Sequence, residues 1–386
     1  MRQLFHSLTL TAITGILVFG LTACQPGNNQ SSPEEIRIGV IAPITGSIPN
    51  VGKSTVEAAE MAAAEINENG GLAVGGKQYQ IVLLVEDNED KPETAVAAAE
   101  KLINQQNVAA IIGPQASRNA IPVSRIAENS KIPMISPWST NPETTLEKHY
   151  VFRVAFLDPF QGQVMARFIF EELNATKAAV LYDVASPYNS GIAEIFKQVF
   201  EGAGGSVTAF ETYTTGETDF ARQLTEIKDS GAEVLFLPNY ENEVPAQAEQ
   251  ARELGINIPI IGSDSWGTIP AESRAALEGS YFSTHYASDI AEEPARTFIQ
   301  NYIQAYGHVP DDVAALTYDA FGLLFKAIQS QASSDPEAIR TGLAATESYV
   351  GVTGTMQYSG SGDPIKSAVI LKVVNGEFIF YKLATP

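Results

Sequence analysis

The glycine-containing segment 46–54, GSIPNVGKS, is the stretch whose residue types come nearest to a phosphate-binding loop. It follows an apolar run and precedes a helical pattern, which is the placement that a P-loop requires. A P-loop has four residues between its glycines, whereas five separate Gly46 from Gly52, so the backbone N–H groups cannot close around a phosphate. No GxGxxG motif is present either. The sequence therefore argues against a nucleotide site.

The histidines and carboxylates do not form a recognisable catalytic or metal-binding pattern. His149, His285 and His308 are isolated, without HExxH or His-x-His spacing. No GxSxG motif for a nucleophilic serine is present, and we interpret adjacent acids such as Asp311 and Asp312 as solvated loop charges. We therefore predict a binding protein rather than an enzyme, with no metal ion and no cofactor.

Cys24 is the only cysteine, and it ends a segment that has the features of an export signal. Arg2 precedes an apolar run over residues 8–19, which is shorter than the roughly 20 residues of a membrane span. The following Leu-Thr-Ala-Cys resembles the bacterial lipobox. That resemblance implies a signal peptide over residues 1–23, lipidation of Cys24, and a protein held outside the cytoplasm, in the periplasm or at the cell surface. The alternative is a buried cysteine behind an ordinary signal.

The charge of the chain disfavours some classes of binding partner. With 24 Lys plus Arg against 45 Asp plus Glu, the formal net charge is −21, which disfavours nucleic acid and anionic lipid surfaces. A membrane contact therefore comes only through the lipid anchor. Residues 24–35 are polar and contain proline and glycine, so we expect a flexible tether. The length of 386 residues predicts two domains.

Two successive series of short apolar runs alternate with amphipathic stretches after this tether. The predicted strands of the two series are residues 36–42, 81–85, 108–112 and 132–135, then 178–181, 207–210, 234–237 and 258–261. Helical stretches follow at 294–306 and 313–330, and strands at 354–358, 367–374 and 377–383. Continuous apolar strands between helices predict an α/β protein with two doubly wound lobes.

Ligands bind beyond the carboxyl ends of the strands in open parallel sheets. That rule selects the loops that follow the predicted strands, at residues 43–52, 113–119, 136–142, 183–191, 238–243 and 262–268.

Four segments carry a resemblance to the type I periplasmic binding proteins: residues 36–43 (IRIGVIAP), 58–71 (AAEMAAAEINENGG), 152–162 (FRVAFLDPFQG) and 350–354 (VGVTG). Among these, the chain most resembles the leucine/isoleucine/valine-binding branch, the solute-capturing subunits of ABC importers. The resemblance covers residues 36–386.

The resemblance implies two Rossmann-like lobes joined by a hinge of three strands, with crossings near Asp158, Tyr286 and residues 351–354. The N-terminal lobe would then contain residues 36–157 plus 287–352. The C-terminal lobe would contain residues 158–286 plus 353–386.

The resemblance also implies a site for the carboxylate of an amino acid. Ser117, Ser139 and Thr140 match the family positions where hydroxyl groups and the N–H groups of a helix start bind that carboxylate. Each has an alternative role. Ser117 could cap a helix, and Ser139 and Thr140 could be turn residues between Pro137 and Pro142.

The resemblance further implies a carboxylate that binds the ammonium group of the amino acid, and two aromatic rings that cover the ligand. Asp264 matches the family's ammonium-binding acid, and an Asx-turn or helix cap is its alternative. Tyr188 and Tyr240 match aromatic residues of the second lobe that close over the ligand. Each could instead be a half-exposed loop tyrosine.

Three residues depart from the leucine-binding pattern. Trp138 stands where the branched-chain binders tend to have a small residue, and Val51 stands where an aromatic is often found. Arg118 follows Ser117, where small hydroxyl residues are common, and could bind an extra acidic group of the ligand or face solvent. The preferred side chain of the ligand therefore stays open, although Trp138 belongs to the predicted site.

We predict a monomeric substrate-binding subunit of an ABC importer. It would capture a branched-chain or other neutral amino acid between its lobes and deliver it to a permease with ATPase subunits. One alternative keeps the fold and binds urea, a short amide or another small organic solute. The other is a secreted hydrolase, which would need a nucleophile with a base.

Overall fold

The computed structural model describes residues 34–386. Two sheets covered by helices form two lobes, so the predicted α/β fold is confirmed. The predicted signal peptide, Cys24 and most of the predicted tether lie outside the described residues.

The first lobe is built on a six-stranded sheet. Its strands are β1 (Glu34–Ala42), β2 (Leu72–Val74), β3 (Lys77–Asp87), β4 (Ala110–Ile112), β5 (Met134–Ser136) and β6 (Val151–Arg153). They lie in the order β2-β3-β1-β4-β5-β6, and all neighbours are parallel except the β2–β3 hairpin.

Helices cover both faces of this sheet, which is why its strands are continuously apolar. These helices are α1 (Pro49–Glu68), α2 (Pro92–Asn104) and α3 (Ser117–Ser130). In β4, Ile112 belongs to the core on the α1 face, whereas Ile111 belongs to the core that contains residues of α2 and α3.

The second lobe repeats this arrangement. Its parallel strands are β7 (Lys177–Asp183), β8 (Ser206–Tyr213), β9 (Val234–Leu237), β10 (Ile260–Gly262) and β11 (Tyr281–Thr284). Its helices are α4 (Asp158–Glu171), α5 (Pro187–Gly202), α6 (Ala221–Asp229) and α7 (Val244–Glu253). In β9, Phe236 packs with residues of α4 and α5, and Leu235 packs with residues of α6 and α7.

The chain returns to the first lobe after β11. Three helices follow, α8 (Ala295–Tyr306), α9 (Asp312–Gln331) and α10 (Pro336–Ala344), and α9 packs on α1 with most of its residues buried. A small antiparallel sheet contains β12 (Ser348–Gly351), β13 (Gly354–Tyr358) and β14 (Pro364–Ile365). The last strands, β15 (Ala368–Val374) and β16 (Glu377–Ala384), complete the second sheet in the order β16-β15-β11-β10-β9-β7-β8.

The chain thus passes between the lobes three times, after β6, after β11 and after β14. The buried Lys366 ties two of these passages together, because its Nζ donates to Val154 O at 3.2 Å and to Thr353 Oγ1 at 2.6 Å. Burial lowers the pKa of Lys366 to about 8, and the nearby carboxylate of Asp319 acts in the opposite direction.

The predicted lobe boundaries stay a prediction. One contact bears on the last of them: the N–H of Arg153, at the end of β6, donates to Gly362 O at 2.9 Å. Since β13 and β14 also pair within the small sheet, we propose that the last passage lies between Ile365 and Ala368, rather than at residues 351–354.

The long apolar runs are where sequence and structure agree best. The strands predicted at 234–237 and 354–358 have the observed bounds, and those predicted at 367–374 and 377–383 differ by one residue. The sequence did not predict β6 and β11, which have three and four residues, or that β15 runs antiparallel to both of its neighbours, β11 and β16.

Candidate ligand-binding site

Ser117 and Ser139 meet where the neighbouring parallel strands β4 and β5 end. Helix α3 begins at Ser117, and Ser139 lies in the loop after β5. The two hydroxyl oxygens are 2.9 Å apart, and Ser139 Oγ lies 2.8 Å from Thr144 Oγ1. The loop after β5 is therefore held against the start of α3, where free backbone N–H groups favour an anion.

Arg153 holds the backbone of the same loop in place. Its guanidinium is fully buried and donates to Ser139 O at 2.6 Å and to Asn141 O at 2.9 Å. Its Nε lies 2.6 Å from a carboxylate oxygen of Asp363. The two carbonyl contacts flank Thr140, a buried residue whose Oγ1 makes no hydrogen bond of ordinary geometry among the described residues.

Asp264 lies in the second lobe, in the loop that follows β10. Its backbone N–H donates to Gln161 Oε1, and Gln161 Nε2 donates to Asp264 Oδ1, both at 2.9 Å. The hydroxyl of Tyr188 donates to the same oxygen at 2.6 Å, and His285 Nε2 lies 3.2 Å from Oδ2. Contacts from three elements, α4, α5 and the passage after β11, therefore orient this carboxylate.

Three aromatic rings stand side by side at the site. The ring centroids of Trp138 and Tyr240 are 6.0 Å apart, and those of Tyr188 and Tyr240 are 5.2 Å apart. The guanidinium of Arg118 lies over the Tyr240 ring, 4.5 Å from its centroid, and pairs with the buried Asp90. Arg118 is thus largely buried and paired with Asp90 of its own lobe.

Six of the seven predicted ligand-binding residues line one enclosed cavity between the lobes, together with Gln115 and Ala116. The empty space there is at most about 160 Å³. The six are Ser117, Trp138, Ser139, Tyr188, Tyr240 and Asp264, and each is at most 4% exposed. Thr140 is buried in the same loop but does not line the cavity.

Residues 35–377 match the model of a family described as periplasmic binding protein. The chain belongs to this family.

Relatives of this periplasmic binding protein match it along nearly their whole length. The leucine-, isoleucine-, valine-, threonine- and alanine-binding protein of Pseudomonas aeruginosa is 29% identical over 366 residues, covering 94% of this chain and 93% of its own. The crystal structure of the leucine-binding protein LivK of Thermotoga maritima is 33% identical with a TM-score of 0.85, and the alignment covers 91% of this chain and 99% of that one. LivJ of Streptococcus pneumoniae, solved with isoleucine, is 30% identical with a TM-score of 0.84, covering 92% and 100%.

The structure adds three side chains that the sequence did not assign to the site. Gln161 and His285 hold Asp264, and Asp158 lies nearby with its carboxyl fully buried. Both Asp158 and Gln161 belong to the segment 152–162 that carried the resemblance, and His285 precedes the expected crossing at Tyr286. Their positions in the sequence could have suggested these residues, but a sequence pattern does not show which side chains point into the cavity.

Asp158 is an unusual group for this periplasmic binding protein to bury. Neither of its carboxyl oxygens makes a hydrogen bond of ordinary geometry among the described residues. Burial raises the pKa of Asp158 to about 7, although the hydroxyl of Thr140 lowers it; the Asp264 charge raises it further and the Arg153 charge lowers it. The acid is therefore easily protonated, and a cation beside it would favour its charged form.

The interpretation of Asp311 and Asp312 as solvated loop charges is wrong. Asp311 begins α9 as its N-cap, accepting from Ala314 N at 2.8 Å and from Ser54 Oγ at 2.5 Å. Asp312 is 3% exposed, and its Oδ2 accepts from the indole N–H of Trp138 at 3.2 Å. Both acids are fixed because α9 packs under the site, which local sequence does not show.

Within residues 34–386, no group of three or more histidine, cysteine, aspartate or glutamate residues is placed to hold a metal ion. Of the helices in this described part, none is long and apolar enough to cross a membrane.

Proposed function

We propose that this protein is the substrate-binding subunit of an ABC importer and captures a neutral α-amino acid between its lobes. One observation carries the proposal: hydroxyl groups at a helix start in one lobe and a buried carboxylate in the other line the same enclosed cavity. A zwitterion needs an anion site and a cation site within a few ångströms of each other, and this cavity offers both.

Each side chain then has a role. Ser117 and Ser139, with the N–H groups at the start of α3, would bind the ligand carboxylate. Asp264 would bind the ammonium group. Tyr188 and Tyr240 would cover the ligand from the second lobe, with Trp138 facing them from the first.

The ligand class follows from the relatives. The Pseudomonas aeruginosa relative is named for leucine, isoleucine, valine, threonine and alanine, and the Streptococcus pneumoniae structure contains isoleucine. All five are neutral α-amino acids, so the shared chemistry is the zwitterion with an uncharged side chain. Urea, a short amide or another small solute lacks that pair of charges and would not use both ends of the site.

Binding would act by closing the lobes. Asn50 Nδ2 of the first lobe lies 3.4 Å from Glu241 Oε2 of the second, and Asn141 Nδ2 donates to Pro187 O at 2.9 Å. A ligand that contacts both lobes stabilises this closed arrangement relative to an open one. We propose that the closed lobes form the surface that the permease and its ATPase subunits recognise, with the binding protein acting as a monomer and without catalysis.

The location follows from the N-terminal segment. We propose that residues 1–23 are a lipoprotein signal peptide and that the acylated Cys24 holds the protein at a membrane outside the cytoplasm. The predicted tether 24–35 is too long by two residues, because Glu34 and Glu35 belong to β1; residues 24–33 would connect the two lobes to that anchor.

The test uses thermal unfolding of the protein after denaturation and refolding to remove carried-over ligand. An amino acid at about 100 times its Kd adds about 2.7 kcal/mol to the free energy of unfolding, which raises Tm by several degrees. Asp264→Asn removes the charge that meets the ammonium group, so we expect binding to weaken by at least about thirtyfold, or about 2 kcal/mol. Asp229→Asn removes the same charge at the exposed end of α6 and is the matched control.

A flat response to every amino acid, together with a shift for urea or an amide, would replace the ligand class and keep the fold. Equal binding by Asp264→Asn and the control would remove Asp264 from the site.

A further inference from the structure

Trp138 lines the cavity beside the groups proposed to bind the zwitterion, so a ligand side chain would lie against its ring. The lining residues proposed to bind the zwitterion are Ser117 and Ser139 on one side and Asp264 on the other. The remaining lining consists of the rings of Trp138, Tyr188 and Tyr240, with Ala116 and Gln115. Among the described residues that line the cavity, none is an aliphatic residue larger than alanine.

The indole of Trp138 is fixed on two sides. Its N–H donates to Oδ2 of Asp312 at 3.2 Å, and Asp312 is itself buried at the start of α9. Its ring lies beside that of Tyr240, which the guanidinium of Arg118 covers from another direction. Moving the indole aside would leave a buried carboxyl without its donor, which is costly in a closed interior.

The space that remains is small. At most about 160 Å³ is empty between the lining residues, because this volume also counts space open to solvent, so there is room for no more than about five water molecules at roughly 30 Å³ each. A ligand of about five or six non-hydrogen atoms fills that space. Glycine and alanine are of this size, whereas leucine has three more carbon atoms than alanine.

We propose that this protein selects the amino acids with the smallest side chains, glycine and alanine, and that Trp138 is the residue that excludes larger ones. This inference rests on the proposed function, since it concerns the side-chain end of the same site.

The experiment measures Kd by calorimetry for glycine, alanine, serine, valine and leucine with the refolded protein. We expect leucine to bind at least tenfold more weakly than alanine. In Trp138→Ala the vacated volume accepts the larger side chain, so leucine binding improves at least tenfold while alanine binding does not improve. Trp138→Phe keeps most of the ring volume without the N–H donor, and it should keep the preference for alanine.

The outcomes separate this inference from the proposed function. If the unsubstituted protein binds leucine as tightly as alanine, the inference is wrong and the proposed function stands. If it binds no amino acid of any size, both are wrong. An unfolding curve of Trp138→Ala without ligand shows whether this variant folds. If it does not fold, the comparison of alanine and leucine binding by the unsubstituted protein still tests the inference.

Discussion

The side chains that hold the Asp264 carboxylate are uncharged. Tyr188 and Gln161 donate to one oxygen, and His285 lies against the other. Burial lowers the pKa of His285 to about 4, even though the Asp264 hydrogen bond raises it, so the ring is neutral at pH 7. No cation among these contacts competes with an incoming ammonium group.

Asp158 gives a prediction about pH. Its pKa is raised from 3.8 to about 7 in the folded protein, so the folded state binds more protons than the unfolded state between these values. The free energy of unfolding of the ligand-free protein should therefore fall as the pH rises from about 4 to 7. Asp158→Asn cannot ionise and should lose about 2–4 kcal/mol less over this range. Urea unfolding at several pH values measures the difference.

The same range contains the titration of two other buried acids. Burial raises the pKa values of Glu241 and Glu243 to about 7, so the variant should keep part of the slope. Parallel curves for Asp158→Asn and the unsubstituted protein would show that Asp158 is ionised in the folded state at low pH.

Among individual site residues, the sequence predicted those that follow strands but not the residues that contact them. Ser117, Ser139 and Asp264 follow apolar runs, so the strand-end rule and the family resemblance together locate them. Gln161 and His285 lie in a helix and in a passage between lobes, and their orientation depends on how the lobes pack.

At the scale of elements, the end of β6 determines the shape of the loop after β5. Arg153 spans Ser139 O and Asn141 O with one planar group, which a lysine cannot do. Arg153→Lys should lower the free energy of unfolding by about 2–4 kcal/mol, because buried acceptors lose donors. It should also weaken amino-acid binding at least tenfold, measured by calorimetry well below its Tm.

Arg222→Lys is the matched control. Arg222 lies in α6 with an exposed side chain, 3.5 Å from Glu211, and its replacement should change stability by less than about 0.5 kcal/mol. A destabilised Arg153→Lys that binds the amino acid normally would mean that Arg153 supports the fold but does not position the loop.

Strands that coincide with a run of apolar or alternating residues could be predicted, whereas β6 could not. In β9 and β13 the run of apolar or alternating residues coincides with the strand. β6 has only Val151–Arg153 and ends in a charged residue, so its pairing with β5 provides the information that its composition lacks. The antiparallel direction of β15 likewise depends on its neighbour β11.

At the scale of the whole molecule, the proposed binding site and the proposed membrane anchor lie in different parts of the chain. The site lies within residues 34–386, whereas the proposed anchor is Cys24.

Cys24→Ser removes the thiol that would be acylated. We expect the variant to leave the membrane fraction of the producing bacterium, because the acyl chains supply the membrane affinity. Its Kd for the amino acid should equal that of the unsubstituted protein. Retention in the membrane fraction would contradict the lipoprotein assignment, and fractionation with immunodetection distinguishes the two results.

The position of β15 between β11 and β16 also sets an order of events during synthesis. β11 ends at Thr284, but its antiparallel neighbour begins only at Ala368. Until that later strand leaves the ribosome, β11 is an open edge with unpaired N–H and C=O groups. The second lobe therefore finishes folding after the intervening 295–365 segment has been made, so this nascent chain stays partly unfolded late into its translation.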